Sequence, residues 1–142
     1  MKANELMLSN WVKYGKRYAI VEKMTLSRVT ILACFNGNDE LVEETYDNIE
    51  PIPITHELLE NNGWERDDME WGADGEIECW FSPDHRIELR SNKNHDMCNS
   101  DAAWAVHIDN KDFDTIGSGE VSYLNELQNE CNCKHYEFEW KL

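Results

Sequence analysis

The stretch Asp114-Thr115-Ile116-Gly117-Ser118-Gly119-Glu120-Val121-Ser122-Tyr123-Leu124-Asn125-Glu126-Leu127-Gln128-Asn129 decides how the chain is read. It reads as the end of a strand from Phe113 to Ile116, a glycine turn at Gly117-Ser118-Gly119, and an amphipathic helix beginning after Ser122 as N-cap. Leu124, Leu127 and Cys131 fall at helical spacing and form a narrow apolar stripe. Asn125, Glu126, Asn129 and Glu130 are expected to face water. A glycine turn aimed at a helix start is also the outline of an anion nest. Here there is no lysine, and Glu120 repels phosphate, so a plain turn is the better reading.

Downstream, Tyr136, Phe138 and Trp140 alternate with Glu137, Glu139 and Lys141, which predicts a final strand over Tyr136–Leu142. Upstream, Trp104, Val106 and Ile108 alternate with Ala105 and His107, which predicts a strand over Ala102–Asp109. Strands are also expected at Glu76–Ser82 and at Arg86–Ser91. In the first, Ile77, Cys79 and Phe81 lie on one face and Trp80 among polar residues on the other, where alternation argues for exposure against the core reading favoured for the tryptophan cluster. Trp64–Trp71 reads as a polar edge strand and Ser91–Asp101 as a surface loop.

The first half has a different rhythm. Arg17–Lys23, Arg28–Phe35 and Asp39–Glu44 alternate, and Asn36-Gly37 supplies the positive-φ pair of a type I′ hairpin. These strands suggest a small bent antiparallel sheet, SH3-like in outline. Pro51 and Pro53 hold the following segment extended. Thr55 then caps a short helix over His56–Asn62 that ends at Gly63, with Ile54 and Leu59 placed as a hydrophobic staple. His56 reads as an exposed helix-start residue. The expected fold is α+β: an N-terminal bent antiparallel (SH3-like) sheet, a short helix, then an antiparallel sheet with one packed C-terminal helix. The expected division is a β subdomain over 1–54 and an α+β subdomain over 55–142.

Composition bounds the function. Of 142 residues, 41% are hydrophobic and 11% aromatic, six of them tryptophan, so the chain is globular rather than disordered. The 29 acidic residues outweigh 13 basic ones, for a net charge of −16. That field disfavours direct nucleic-acid binding and anionic membranes, and favours basic partners. The N-terminus carries no apolar signal region, no apolar run is long enough to span a bilayer, and five cysteines make an odd count. Together these point to reduced thiols and a cytoplasmic protein.

Three stretches resemble a family of small uncharacterised proteins of Bacteroidales genomes and their phages and prophages. They are Lys2-Ala3-Asn4-Glu5-Leu6 with Trp11-Val12, then Tyr46-Asp47-Asn48-Ile49-Glu50-Pro51-Ile52-Pro53-Ile54-Thr55 with Leu58-Leu59 and Asn62-Gly63-Trp64, and finally Tyr123-Leu124 with Glu126-Leu127-Gln128-Asn129. The pattern usually has His where this chain has Asn125, and a more apolar continuation where it has Glu130-Cys131-Asn132-Cys133. The resemblance implies a phage or mobile-element origin and no catalytic residues.

No set of residues marks an enzyme. Cys131, Cys133 and His135 offer metal-ligand chemistry, but helical spacing makes Cys131 a core residue, and a tetrahedral site needs two more donors from elsewhere. His107 and Asp109 share a strand face, a pattern common by chance. Ser122 has no nucleophile context. No cofactor or metal is therefore expected. Trp71, Trp80, Trp104 and His107 form the candidate binding surface, as a core cluster or as a platform for a planar ligand or partner. The expected function is a non-enzymatic binding or interaction protein, such as an acidic inhibitor of a basic host protein. The alternative is a protein that sequesters a small molecule, for instance a nucleotide signal, in an aromatic pocket at an oligomer interface. A metal-dependent hydrolase using His107 or Asp109 ranks third.

Overall fold

A computed structural model describes residues 1–70, 75–93, 102–109, 115–133 and 138–142. The chain divides into two units. One holds Met1–Pro53, Tyr123–Asn129 and Leu142; the other holds Ile54–Ser122 and Glu130–Lys141. Antiparallel sheets dominate, with a C-terminal helix, so the class is α+β.

In the first unit, β1 (Trp11–Tyr14), β2 (Arg17–Met24), β3 (Arg28–Phe35) and β4 (Asn38–Thr45) form an antiparallel meander in that order. Asn36 (φ 50°) and Gly37 (φ 82°) make the β3–β4 hairpin, as their preference for positive φ dictates. Ala19, Val21, Val29, Ile31 and Ala33 point to the buried face and gather with Leu6, Val12, Tyr46 and Ile49 into one core. Each fully buried valine or isoleucine contributes about 1.5–3 kcal/mol. A register shift between Val21 and Lys23 marks a bulge that lets the sheet bend.

In the second unit, α1 (His56–Asn61) follows Thr55, whose Oγ1 accepts the Leu58 N–H at 3.2 Å. Gly63 beyond its end has φ +76°, the left-handed turn that glycine makes without strain. Next come β5 (Glu65–Arg66), β6 (Met69–Glu70), β7 (Glu76–Ile77), β8 (Cys79–Phe81), β9 (Ile87–Ser91), β10 (Trp104–Asp109) and β11 (Thr115–Val121). Five of them pair antiparallel in the order β11-β10-β9-β8-β5, while β6 and β7 form a separate ribbon. The Trp64–Trp71 expectation thus resolves into two short strands, with Trp71 outside the described residues. Helix α2 (Leu124–Cys133) runs from the first unit into the second.

Four expectations are corrected. Gly117-Ser118-Gly119 is no turn: it lies inside β11, with His107 paired to Ser118 and Val106 to Gly119. A Cβ at Gly119 would stand 2.8 Å from Cδ of Glu130, so the glycine accommodates that side chain rather than a bend. Ser122 does not cap α2. Its Oγ accepts the Ala103 N–H (2.9 Å), and Tyr123 takes the cap position, donating its N–H to Glu126 Oε2 (3.0 Å). Asn125 is not solvated but buried at 1% exposure. Finally, residues 138–142 form no strand; 134–137 lie outside the described residues. The Asn62 side chain accepts the Lys141 N–H (2.7 Å) and donates to the Lys141 carbonyl (3.0 Å). An amide side chain thereby serves the backbone groups that a neighbouring strand would have paired.

Among the described residues, no helix is long and apolar enough to cross a membrane. The Ser91–Asp101 loop lies mostly outside the described residues.

Candidate functional site

The second unit carries an open cleft of about 670 Å³. Thr55 sets its position: by capping α1 it fixes the first turn, and His56 projects from that turn. Glu78 lies between β7 and β8, where its carbonyl accepts the Ser91 N–H at 2.8 Å. Its side chain meets His56, with Oε1 2.5 Å from Nε2. The same oxygen accepts the indole N–H of Trp80 (2.7 Å), and Oε2 lies 3.8 Å from the Arg66 guanidinium. One carboxylate thus orients an imidazole and an indole beside a guanidinium.

Two tryptophans flank the imidazole. The His56 ring lies 5.4 Å from Trp80 at an interplanar angle of 36°, and 6.4 Å from Trp104 at 62°. Trp104, Ile54, Asn92 and Lys93 complete the cleft wall that bears on recognition. Asn92 donates to the Ala102 carbonyl (2.9 Å) and to Glu120 (2.6 Å), which holds its amide in place. A smaller hollow of about 180 Å³ shares Glu78, Ser91 and Lys93 with the cleft and adds Arg66, Asp68 and Glu76.

The electrostatics are balanced rather than acidic. Arg66 donates to both oxygens of Asp68, at 2.8 and 2.9 Å. That hydrogen bond holds the Asp68 carboxyl below the usual carboxylate range and raises the guanidinium further. Cys79, buried behind the site, has its thiol pushed up to about 11, first by burial and then by the charge of Glu88. It is an inert core thiol at neutral pH.

The site can orient a ligand and stack it on the exposed imidazole of His56. No activated hydroxyl accompanies the His56–Glu78 pair among the hydrogen bonds described: Thr55 Oγ1 accepts the Leu58 N–H and Ser91 Oγ accepts the Lys93 N–H. Among the described residues, no group of three His, Cys, Asp or Glu side chains is placed to hold a metal ion. Cys131 is buried and Cys133 exposed; His135 lies outside the described residues.

Of the four residues singled out from the sequence, Trp80 and Trp104 converge on His56. Both are buried, at 3% and 5% exposure, so Trp80 is not the exposed residue that alternation suggested. It shares a sheet face with Leu89 and Val106, its neighbours across β9 and β10. His107 alternates with the buried Val106 and Ile108 and so takes the opposite face, in register with Glu88 and Ser118. Trp71 lies outside the described residues. His56 and Glu78 are the members that sequence reasoning missed. The available signal was a histidine directly after a helix cap, but its partner is 22 positions further on, from 56 to 78, in another element. No protein-family model, curated protein or solved structure matches this chain.

Proposed function

We propose that the protein is a non-enzymatic binding protein and that its ligand site is the His56–Trp104 cleft. The observation that carries this is the imidazole of His56, fixed by Glu78 and flanked by Trp80 and Trp104 on the wall of a 670 Å³ hollow. Concave sites of this size with a few converging polar groups are where small ligands bind. The exposed imidazole face of His56, backed by Trp80 and Trp104, and the amide oxygen of Asn92 suit a planar, hydrogen-bonding heterocycle, as in a nucleobase or nucleoside. The single lining lysine and the net charge of −16 argue against a polyphosphate chain as the main handle. Reduced thiols in an odd number support action in a cytoplasm.

Ligand-observed NMR against a panel of nucleobases, nucleosides and mononucleotides tests the reading. At least one compound is expected to bind, and His56→Ala to weaken it about tenfold, as loss of a stacking face does. If no compound binds in a His56-dependent way, the reading fails.

A second reading, an acidic protein that engages a basic one, is favoured by Asp39, Glu40, Glu43 and Glu44 along β4. The SH3-like character of the four-stranded sheet belongs to this reading, supported by the meander and its bulge. Binding that weakens with added salt is its signature.

A further inference from the structure

We propose that the open edge of β4 accepts an added antiparallel strand from a basic partner, with the pattern basic–x–apolar–x–basic. This rests on the reading of an acidic protein that engages a basic one, and assigns it a place and a register.

The sheet of the first unit has an apolar row on the face opposite its core. Trp11 pairs with Ile20, Ile20 with Leu32, and Leu32 with Leu41, so the four side chains cross the sheet in line. The row ends at Leu41, which is 67% exposed in the middle of β4. Apolar cross-strand neighbours stabilise one another, and here the last member has none beyond it among the described residues.

The two edges of this sheet differ. β1 is closed by Glu50: Lys13 N–H donates to the Glu50 carbonyl (2.8 Å) and Glu50 N–H donates back (2.9 Å). β4 pairs with β3 alone among the described residues. It is eight residues long, the length of edge that proteins otherwise shorten or cover.

Charge names the occupant. Side chains alternate along a strand, so Asp39 and Glu43 flank Leu41 on the same face. A second copy pairing antiparallel about Leu41 would set Asp39 against Glu43 twice, and a parallel pairing would set each carboxylate beside its equal. Like charges directly opposite are destabilising, so self-association is disfavoured. A strand with Lys or Arg opposite Asp39 and Glu43, and an apolar residue opposite Leu41, gives Asp39 a cationic partner, adds a second cation to Glu43 beside its exposed pair with Arg28 (3.4 Å), and extends the row. Such strand addition draws affinity from main-chain hydrogen bonds and specificity from alternate side chains.

The test is a titration of the ¹⁵N-labelled full chain with the synthetic peptide Thr-Lys-Thr-Val-Thr-Lys-Thr, and with a control of equal charge in which Thr replaces Val. The expected result is shift changes along β4 and an affinity about tenfold above the control, consistent with burial of one apolar side chain. Leu41→Thr, which keeps strand propensity, should erase that advantage. Asp39→Asn with Glu43→Gln should remove the salt dependence. If both peptides bind equally and Leu41→Thr changes nothing, the strand-addition inference is overturned while the basic-partner reading stands. If neither binds at low salt, both are overturned. Concentration-dependent dimerisation mapped to β4 would also overturn the inference.

Discussion

Asn10 is the most informative residue to change in the first unit. It is 1% exposed, and both ends of its amide are used. Oδ1 accepts the Met7 N–H at 2.8 Å, and Nδ2 donates to Asn129 Oδ1 at 3.0 Å. Asn10→Ala removes two hydrogen bonds, each worth roughly 1 kcal/mol net, and leaves their partners unmatched, at a further cost of roughly 1 kcal/mol or more. The expected loss is about 2–4 kcal/mol. Asn129→Ala should cost less, about 1 kcal/mol, because Asn129 is half-buried and water replaces part of its bonding. The double variant should then be more stable than the sum of the single losses implies, with a coupling of about 0.5–1.5 kcal/mol. Urea unfolding at neutral pH measures all four species, reading midpoint shifts at constant slope. A loss below about 0.5 kcal/mol for Asn10→Ala, or a coupling indistinguishable from zero, would refute the view that this amide pair ties α2 to the N-terminal segment.

Of the four described cysteines, Cys34 and Cys133 are exposed and should react quickly with a thiol reagent in the native protein. Cys79 and Cys131 should react only on unfolding, as mass mapping of the labelled peptides would show. Acid should destabilise the chain through Asp68, held low first by its hydrogen bond from Arg66, and through Glu44, held low first by Asn48 and then by Tyr14. Both folded-state values lie below the unfolded ones, so their contribution is complete above the unfolded values and lost as pH falls through the folded ones, below about pH 4. Asp68→Asn should flatten that part of a stability-against-pH curve, and an unchanged curve would count against the pairing. Gly63→Ala should cost about 1–2 kcal/mol, since a side chain at φ +76° is strained. Its Cβ would also meet Pro83 Cγ at 3.4 Å, and an unaltered urea midpoint would contradict this.

How much of this was legible in the sequence depended on whether a signal was local. Strands β2 to β4 could be read because alternation and Asn36-Gly37 act within a few residues. Their orientation could not. Ala19 and Val21 alternate with Ile20, and Leu32 sits among Ile31 and Ala33, so both faces of the sheet look apolar. The structure buries Ala19, Val21, Ile31 and Ala33 and leaves Leu41 outward. The glycine pair was misread because glycine most often marks a turn. At Gly119 its use is close approach by Glu130, a contact eleven positions away, from 119 to 130. Tyr136–Leu142 has strand alternation, yet Trp140 is buried through stacking on Trp64 (5.6 Å, 20°) and an edge contact with Phe138 (4.8 Å). Alternation recorded which side chains are buried, not what pairs with the backbone.

In the first unit the polar side chains of Tyr123–Asn129 serve the N-terminal segment, and their chemistry there is structural. Asn125 and Asn129 each donate to the Glu5 carbonyl, at 3.0 and 3.3 Å. Gln128 accepts the Trp11 N–H at 2.9 Å and donates to the Ser9 carbonyl at 3.3 Å. The Leu124 N–H, one of the donors a helix start leaves without an intrahelical partner, reaches the Ile52 carbonyl at 2.8 Å. Pro53 bridges to Tyr123 beside it. Polar residues that a helical wheel assigns to solvent are thus spent on the backbone of segment 5–11, which has few regular partners of its own. Asn125 Oδ1 is the one buried member without a hydrogen-bond partner among the described residues. The helix therefore acts as a clamp on the start of the chain. Changes in it should register as stability, whereas changes at His56 or Leu41 should register as binding at unchanged stability.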